Sequence, residues 1–171
     1  MDTAITRHTI EGGANAPPSS FLRLRQPGLA NLLITGGART ERAHIAREYH
    51  EASTLRMGPF VAASARQGDW TSTLLQALTP AASLGNDTPL LRAEGGTLFL
   101  DEIDHLDLDA QRLLFEFLRR GRSDSARDAG WAGRIAAGAG VDLGARVEQG
   151  RFLAPLQDAL DKIRIDLGTA S

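Results

Sequence analysis

Apolar residues along the chain fall into short runs separated by helical stripes. Leu32-Leu33-Ile34-Thr35 is a run of four that stops at Gly36-Gly37, the length and ending of a buried strand. Residues 41–53 then place Ile45, Tyr49 and Ala52 at helical spacing. Phe60 to Ala63 predicts a second strand, and Trp70, Leu74, Leu75 and Leu78 share one face of a following helix. Thr97-Leu98-Phe99-Leu100-Asp101 is the sharpest strand signal, apolar and then acidic at its end. Asp109 to Arg120 carries Leu113, Leu114, Phe117 and Leu118 as a stripe, with Asp109 placed to act near the helix N-terminus. Residues 134–137 and 163–167 predict two further strands. Leu143 to Gln149 and Phe152 to Leu160 predict helices, with Pro155 near the start of the second. Strands alternating with helices imply an α/β domain whose parallel sheet is covered on both faces.

Two stretches lack such a pattern. Residues 1–20 hold Gly12-Gly13, Pro17-Pro18 and Ser19-Ser20 without a sustained period, and are expected to be a flexible leader to a globular part at 21–171. Residues 121–133 (GRSDSARDAGWAG) are polar and Gly-rich, the composition of a surface connector.

Composition narrows the function classes. A chain of 171 residues with 42% hydrophobic and 23% charged residues suits one globular domain with a real core. Lys+Arg 19 against Asp+Glu 21 gives a net charge of −2, which gives no support to direct DNA binding or to adhesion to an anionic membrane. Cysteine is absent, so disulfides, thiolate zinc sites and cysteine nucleophiles are excluded together. No apolar run reaches the length of a membrane span and no signal-peptide core is present, so a cytoplasmic location is expected. Lys162 is the only lysine, which leaves lysine-dependent chemistry a single candidate.

Residues 93–118, AEGGTLFLDEIDHLDLDAQRLLFEFL, are specific. They resemble the Walker B region of bacterial sigma-54 activators, members of the AAA+ ATPase superfamily, where the wording is close to GGTLFLDEI. NLLITGGARTERAHIAREYHEAS looks like the Walker A segment of that family, and MGPFVAASA like its next strand. RIAAGAGVDL and EQGRFLAPLQDALDKIRIDL are similar to the sensor segment and to the stretch that carries the arginine fingers. The likeness spans roughly residues 30–168. It implies a three-layer α/β P-loop NTPase domain of AAA+ type around a central parallel sheet. With nothing after residue 168 long enough for the helical lid, that lid is expected to be absent.

The resemblance also shows where the chemistry departs. A P-loop turns consecutive backbone N–H groups onto phosphates and adds a lysine ammonium. Where the family has wording close to GESGTGKE, this chain has Gly36-Gly37-Ala38-Arg39-Thr40-Glu41-Arg42-Ala43. Gly36 and Thr40 are kept, Arg39 and Glu41 stand at the inner glycine positions, and Arg42 replaces the lysine with a planar fork that is no simple substitute. A carboxylate such as Glu41 about 4 Å from a phosphate oxygen is repelled by up to ~4 kcal/mol at an effective dielectric of ~20. Unopposed, that is about a thousandfold in affinity. Gly36, Gly37, Thr40 and Arg42 are therefore read as a vestigial Walker A, and Asp101 and Glu102 as a vestigial Walker B pair. The resemblance implies Mg²⁺ support by Asp101 and water activation by Glu102 only if nucleotide binds. The sensor position falls on Ala139 or Gly140, and Leu153 and Ala159 occupy the two finger positions. Loss of a finger costs roughly 10³–10⁵ in rate. The GAFTGA loop that touches the sigma factor has no counterpart in residues 64–96.

These departures lead to one expectation and one alternative. The expectation is a catalytically inactive AAA+ pseudo-ATPase, with no cofactor and no metal, that binds a sigma-54 activator or related AAA+ subunit in transcription regulation. The alternative is a nucleotide-binding or weakly hydrolysing AAA+ domain that uses ATP and Mg²⁺ at the residues above. The acidic run Asp101, Glu102, Asp104, His105, Asp107 and Asp109 lacks calcium-loop spacing and reads as a solvated rim. Candidate contacts for a protein partner are Trp70, Trp131 and the basic cluster Arg119, Arg120 and Arg122.

Overall fold

The computed structural model describes residues 6–9, 30–79, 87–120 and 131–168. Six strands form one sheet: β1 (Thr6–Thr9), β2 (Leu32–Thr35), β3 (Phe60–Ser64), β4 (Thr97–Asp101), β5 (Arg134–Ala139) and β6 (Ile163–Asp166). Their order is β1-β6-β2-β5-β4-β3, and every neighbouring pair is parallel. The helices are α1 (Arg39–Glu51), α2 (Trp70–Leu78), α3 (Pro89–Arg92), α4 (Leu108–Arg120), α5 (Leu143–Glu148) and α6 (Ala154–Leu160), with a 3-10 turn at Ile103–His105.

Strand alternation sorts the core into two layers. Leu32 and Ile34 of β2, Phe99 of β4 and Ala136 of β5 pack with Ile45, Ala46 and Tyr49 of α1. Leu33, Leu98, Leu100, Ile135 and Ala137 face the opposite way, onto α2, α4 and α6. With both faces covered, these strands carry apolar residues at consecutive positions, which is why the runs are continuous in the sequence. The three layers expected from the sequence are present.

Several expectations are corrected. Thr6–Thr9, assigned to a leader without regular structure, pairs with β6 as an edge strand. The other residues of 1–20 lie outside the described residues. Helix α2 buries Trp70 and Leu74 but leaves Leu75 exposed, so the face inferred for it is narrower. The cap of α4 is Asp107, whose Oδ1 accepts from Ala110 N at 2.7 Å, rather than Asp109, which pairs with Arg112. At the end of the 121–133 connector, Trp131 is half-buried. Its indole N–H donates to Leu90 O at 2.8 Å and its ring lies 5.3 Å from that of Phe117.

Strand β2 continues through α1 to β3 on one side of the sheet, whereas β5 returns to β6 on the other. The loop after β2 thus sits at the C-terminal edge where open α/β sheets carry their ligands.

Candidate functional site

The loop after β2 begins with Gly36 and Gly37, both at positive φ (74° and 61°). A Cβ on Gly36 would lie 2.1 Å from the carbonyl oxygen of Gly168, because the end of β6 crosses the loop there. Three backbone donors of the loop are committed inside the protein. Gly36 N–H donates to Ala139 O at 2.9 Å and Gly37 N–H to Gly168 O at 3.0 Å. Ala38 N–H donates at 2.6 Å to Oε2 of Glu41, whose side chain folds back over the start of α1. The carboxylate that the sequence marks as an obstacle to phosphate is itself an anion seated at a helix N-terminus, where the free N–H groups and the dipole favour one.

Arg42 fills the centre. Its side chain is 3% exposed, with Nε donating to Asp101 Oδ1 at 2.7 Å and Nη2 to Asp101 Oδ2 at 3.1 Å. Its remaining nitrogen, Nη1, donates to Gly36 O at 3.0 Å and Gly37 O at 2.8 Å. The forked, bidentate geometry is one that only a guanidinium provides. The loop therefore points two carbonyls inward at a cation, the reverse of an anion nest, in which N–H groups converge. Gly138 on β5 makes room for the pair, since a Cβ there would lie 2.3 Å from Asp101 Oδ1.

Glu102 follows Asp101 in a left-handed backbone conformation (φ 56°, ψ 40°), which costs a non-glycine residue on the order of 1–2 kcal/mol. Its side chain, 13% exposed, accepts from Ser64 Oγ at 2.7 Å. Arg39 Nη2 lies 3.8 Å from Glu102 Oε2 and Arg66 Nη1 lies 3.6 Å from Oε1. The Ser64 hydrogen bond, then the charges of Arg39 and Arg66 against the opposing effect of burial, hold Glu102 below the usual carboxylate range.

The other inferred positions behave differently from one another. Thr40 is exposed on the first turn of α1. Ala139 is buried and Gly140 lies beside Arg42, so the sensor position offers no side-chain polar group. Leu153 and Ala159 pack against the core at the finger positions. Among the described residues, no three His, Cys, Asp or Glu side chains gather as a metal site, and no helix is long and apolar enough to cross a membrane. Trp70 is not a surface contact. It is 6% exposed, and its indole N–H donates to Ser64 O at 3.1 Å and Gln67 O at 3.0 Å. Arg119 and Arg120 both close onto Glu116 of their own helix, at 2.8 and 3.0 Å, and hold its carboxyl down at about 2. Arg122 lies outside the described residues. A cavity of about 570 Å³ is lined by Thr35, Gly36, Asp142, Arg164 and Asp166 among others, and Arg42 and Asp101 are not part of its wall.

At the other end of the sheet a second arginine is buried with no acid partner among the described residues. Arg134 Nε donates to Thr97 Oγ1 at 3.1 Å, Nη2 donates to Tyr49 O at 3.0 Å, and the guanidinium lies 3.9 Å from the centroid of the Tyr49 ring. Thr97 Oγ1 also lies 2.9 Å from His50 Nδ1. A neutral His50 that accepts at Nδ1 satisfies the threonine proton. Burial first, and then the Arg134 charge, hold His50 below the ordinary imidazole value.

The Walker-type order of loop, β4 acid pair and sensor strand is shared with known proteins. The family model described as the Sigma-54 interaction domain matches residues 22–166. The chain belongs to this family. It is 34% identical over 158 residues to the DNA-binding transcriptional regulator NtrC of Rhizobium meliloti, covering 85% of this chain and 32% of that protein. The chain thus spans about a third of the length of that sigma-54-family relative. NtrX from Brucella abortus in complex with ATP superposes with a TM-score of 0.70 at 20% identity, over 91% of this chain and 39% of that one. The P-loop NTPase domain of a sigma-54 transport activator from E. coli gives 0.56 at 19% identity, over 81% and 96%. These superpositions establish the fold of a P-loop NTPase. The chain is thus a Sigma-54 interaction domain by family and a P-loop NTPase domain by fold.

The residues that sequence reasoning missed are those whose partners are distant in the chain. Ser64 and Arg66 at the end of β3, Gly138 on β5 and Gly168 after β6 all shape the site, and nothing local marks them.

Proposed function

We propose that this sigma-54 interaction domain is a catalytically inactive AAA+ pseudo-ATPase that acts as a protein-interaction module in bacterial transcription regulation. Its partner is a sigma-54 activator or a related AAA+ subunit. The observation that carries the reading is the Arg42 guanidinium, fastened to both oxygens of Asp101 and to the carbonyls of Gly36 and Gly37. For a triphosphate to enter, this buried pair would have to open, Glu41 would have to leave Ala38, and the inward carbonyls would have to turn away. ATP and Mg²⁺ do not fit the residues as arranged. The apolar sensor and finger positions support the same conclusion, since a subunit without fingers cannot complete its neighbour's site. Such a subunit can still dock through its retained fold surface and bias ring assembly.

Titration with fluorescent ATP in the presence of Mg²⁺ tests the reading. No saturable binding is expected in the micromolar range. Micromolar binding that disappears in Asp101→Ala overturns it in favour of a working nucleotide site.

A further inference from the structure

Of the basic cluster singled out from the sequence, the two described members are spent. Both Arg119 and Arg120 hydrogen-bond to Glu116, and Arg112 and Arg164 are likewise closed onto Asp109 and Asp161. Arg39 and Arg66 are different. They are 62% and 59% exposed, and neither guanidinium hydrogen-bonds to any group among the described residues. Among the described residues their only partners are carboxylate oxygens 3.6 to 3.8 Å away, beyond hydrogen-bond reach. Every side-chain N–H donor of this pair is therefore available.

The backbones that carry them are fixed. Arg66 sits in the turn from Ser64 to Gln67, which is closed by Gln67 N to Ser64 O at 3.1 Å and clamped by the Trp70 indole. Arg39 opens α1, whose entry is closed by Glu41 on Ala38. Between them stands Glu102, pinned by Ser64. Because Arg42 neutralises Asp101 and Glu41 is turned onto Ala38, the mouth of the site holds two open guanidiniums against one carboxylate. A monovalent carboxylate is matched by a fork on either side and meets a single like charge. For a phosphate the attraction to the two forks and the repulsion from Glu102 grow together, so charge alone does not separate it from a carboxylate and the experiment compares the two directly.

We infer that Arg39 and Arg66 form a docking pair for an acidic side chain, Asp or Glu, presented by a protein partner over Glu102. The inference rests on the reading of the domain as an interaction module and names the chemistry by which it would hold its partner. Trp70 is then a positioning residue, which stiffens the Arg66 turn from within the core.

The test is a titration of the full chain with a penta-glutamate peptide, followed through the side-chain Nε–H signals of Arg39 and Arg66 in ¹H–¹⁵N spectra. Inorganic phosphate and Mg-ATP serve as separate arms. Saturable, salt-sensitive shifts of both signals are expected, and the affinity read from the backbone amides of residues 64–67 and 102 should fall about tenfold in the exposed double variant Arg39→Gln/Arg66→Gln, which lacks the arginine signals. Phosphate is expected to bind more weakly than the peptide. Absence of shifts, an undiminished backbone-amide affinity in the double variant, or tighter binding of phosphate would overturn the inference. Micromolar binding in the Mg-ATP arm defeats the pseudo-ATPase reading itself, whereas silence in both the ATP and the peptide arms defeats only the docking pair.

Discussion

Arg42 and Arg134 are buried at opposite ends of the same sheet, and each is satisfied in a different way. Arg42 is balanced by a carboxylate, so its four hydrogen bonds also cancel a charge. Arg134 has no acid partner among the described residues and is held by a hydroxyl, a carbonyl and an aromatic face. Removing the first leaves a buried anion with only the exposed Arg39 guanidinium, 3.7 Å away, beside it. Removing the second leaves only neutral polar groups. Burial pulls Arg134 below the ordinary guanidinium value, with Tyr49 acting against that shift, and its charge depresses His50 beside it. The rim that carries ligands in this fold is thus locked by an ion pair, whereas the opposite rim carries a cation at a cost in its surroundings.

The largest expected effect is at Arg42. Arg42→Ala should lower stability by about 3–5 kcal/mol in urea unfolding, because Asp101 is then buried without a hydrogen-bonded counter-charge and only the exposed Arg39 remains within 3.7 Å. Arg42→Met combined with Asp101→Leu should recover the greater part of that loss. If the double variant is no better than the single one, the carboxylate is not the source of the penalty. Arg134→Met should cost less, about 1–3 kcal/mol, from the hydrogen bonds it leaves unmade at Thr97 and Tyr49. A cost equal to that at Arg42 would erase the distinction between the two rims.

The pH dependence follows from His50. Its pKa in the folded chain lies below the unfolded value of about 6.5, so the native state prefers the neutral ring. The associated stability is present above that value and is lost as pH falls through it toward the folded pKa. The urea midpoint should therefore fall between pH 7.5 and 5.5, and part of this slope should vanish in His50→Gln. In Arg134→Met, the His50 titration followed by NMR should move upward. Last comes an expected null: Mg-ATP should leave the thermal midpoint of the wild-type chain unchanged. The triple variant Arg39→Gly/Glu41→Gly/Arg42→Lys, which restores the family's two inner glycines and its lysine, should acquire a nucleotide-dependent rise.

The legibility of the sequence divides along similar lines. Strand β4 was readable to the residue, because both faces are covered and its apolar run ends in an acid. The loop was readable as departing from a phosphate cradle, yet the direction in which Arg42 points was not. Its partner Asp101 lies 59 residues away, and only the sheet brings them together. The pairing of Glu116 with Arg119 and Arg120 was present in the text at spacings of three and four, and a helical reading of charge would have shown those arginines to be self-neutralised. Strand β1 gave no apolar signal, since Thr-Arg-His-Thr at a sheet edge owes its place to backbone pairing.

Gly138 has a wider implication. With no room for even a methyl beside Asp101, the seat of Arg42 is built from β4, β5 and the loop after β2 at once, and no single codon change converts it into a phosphate cradle. A lone Arg42→Lys trades a fork for a point charge that cannot serve four acceptors, while a lone Glu41→Gly opens the helix entry and leaves the seat filled. Each of these two single steps loses an interaction without regaining a phosphate cradle, so the loop is expected to resist mutational drift one step at a time.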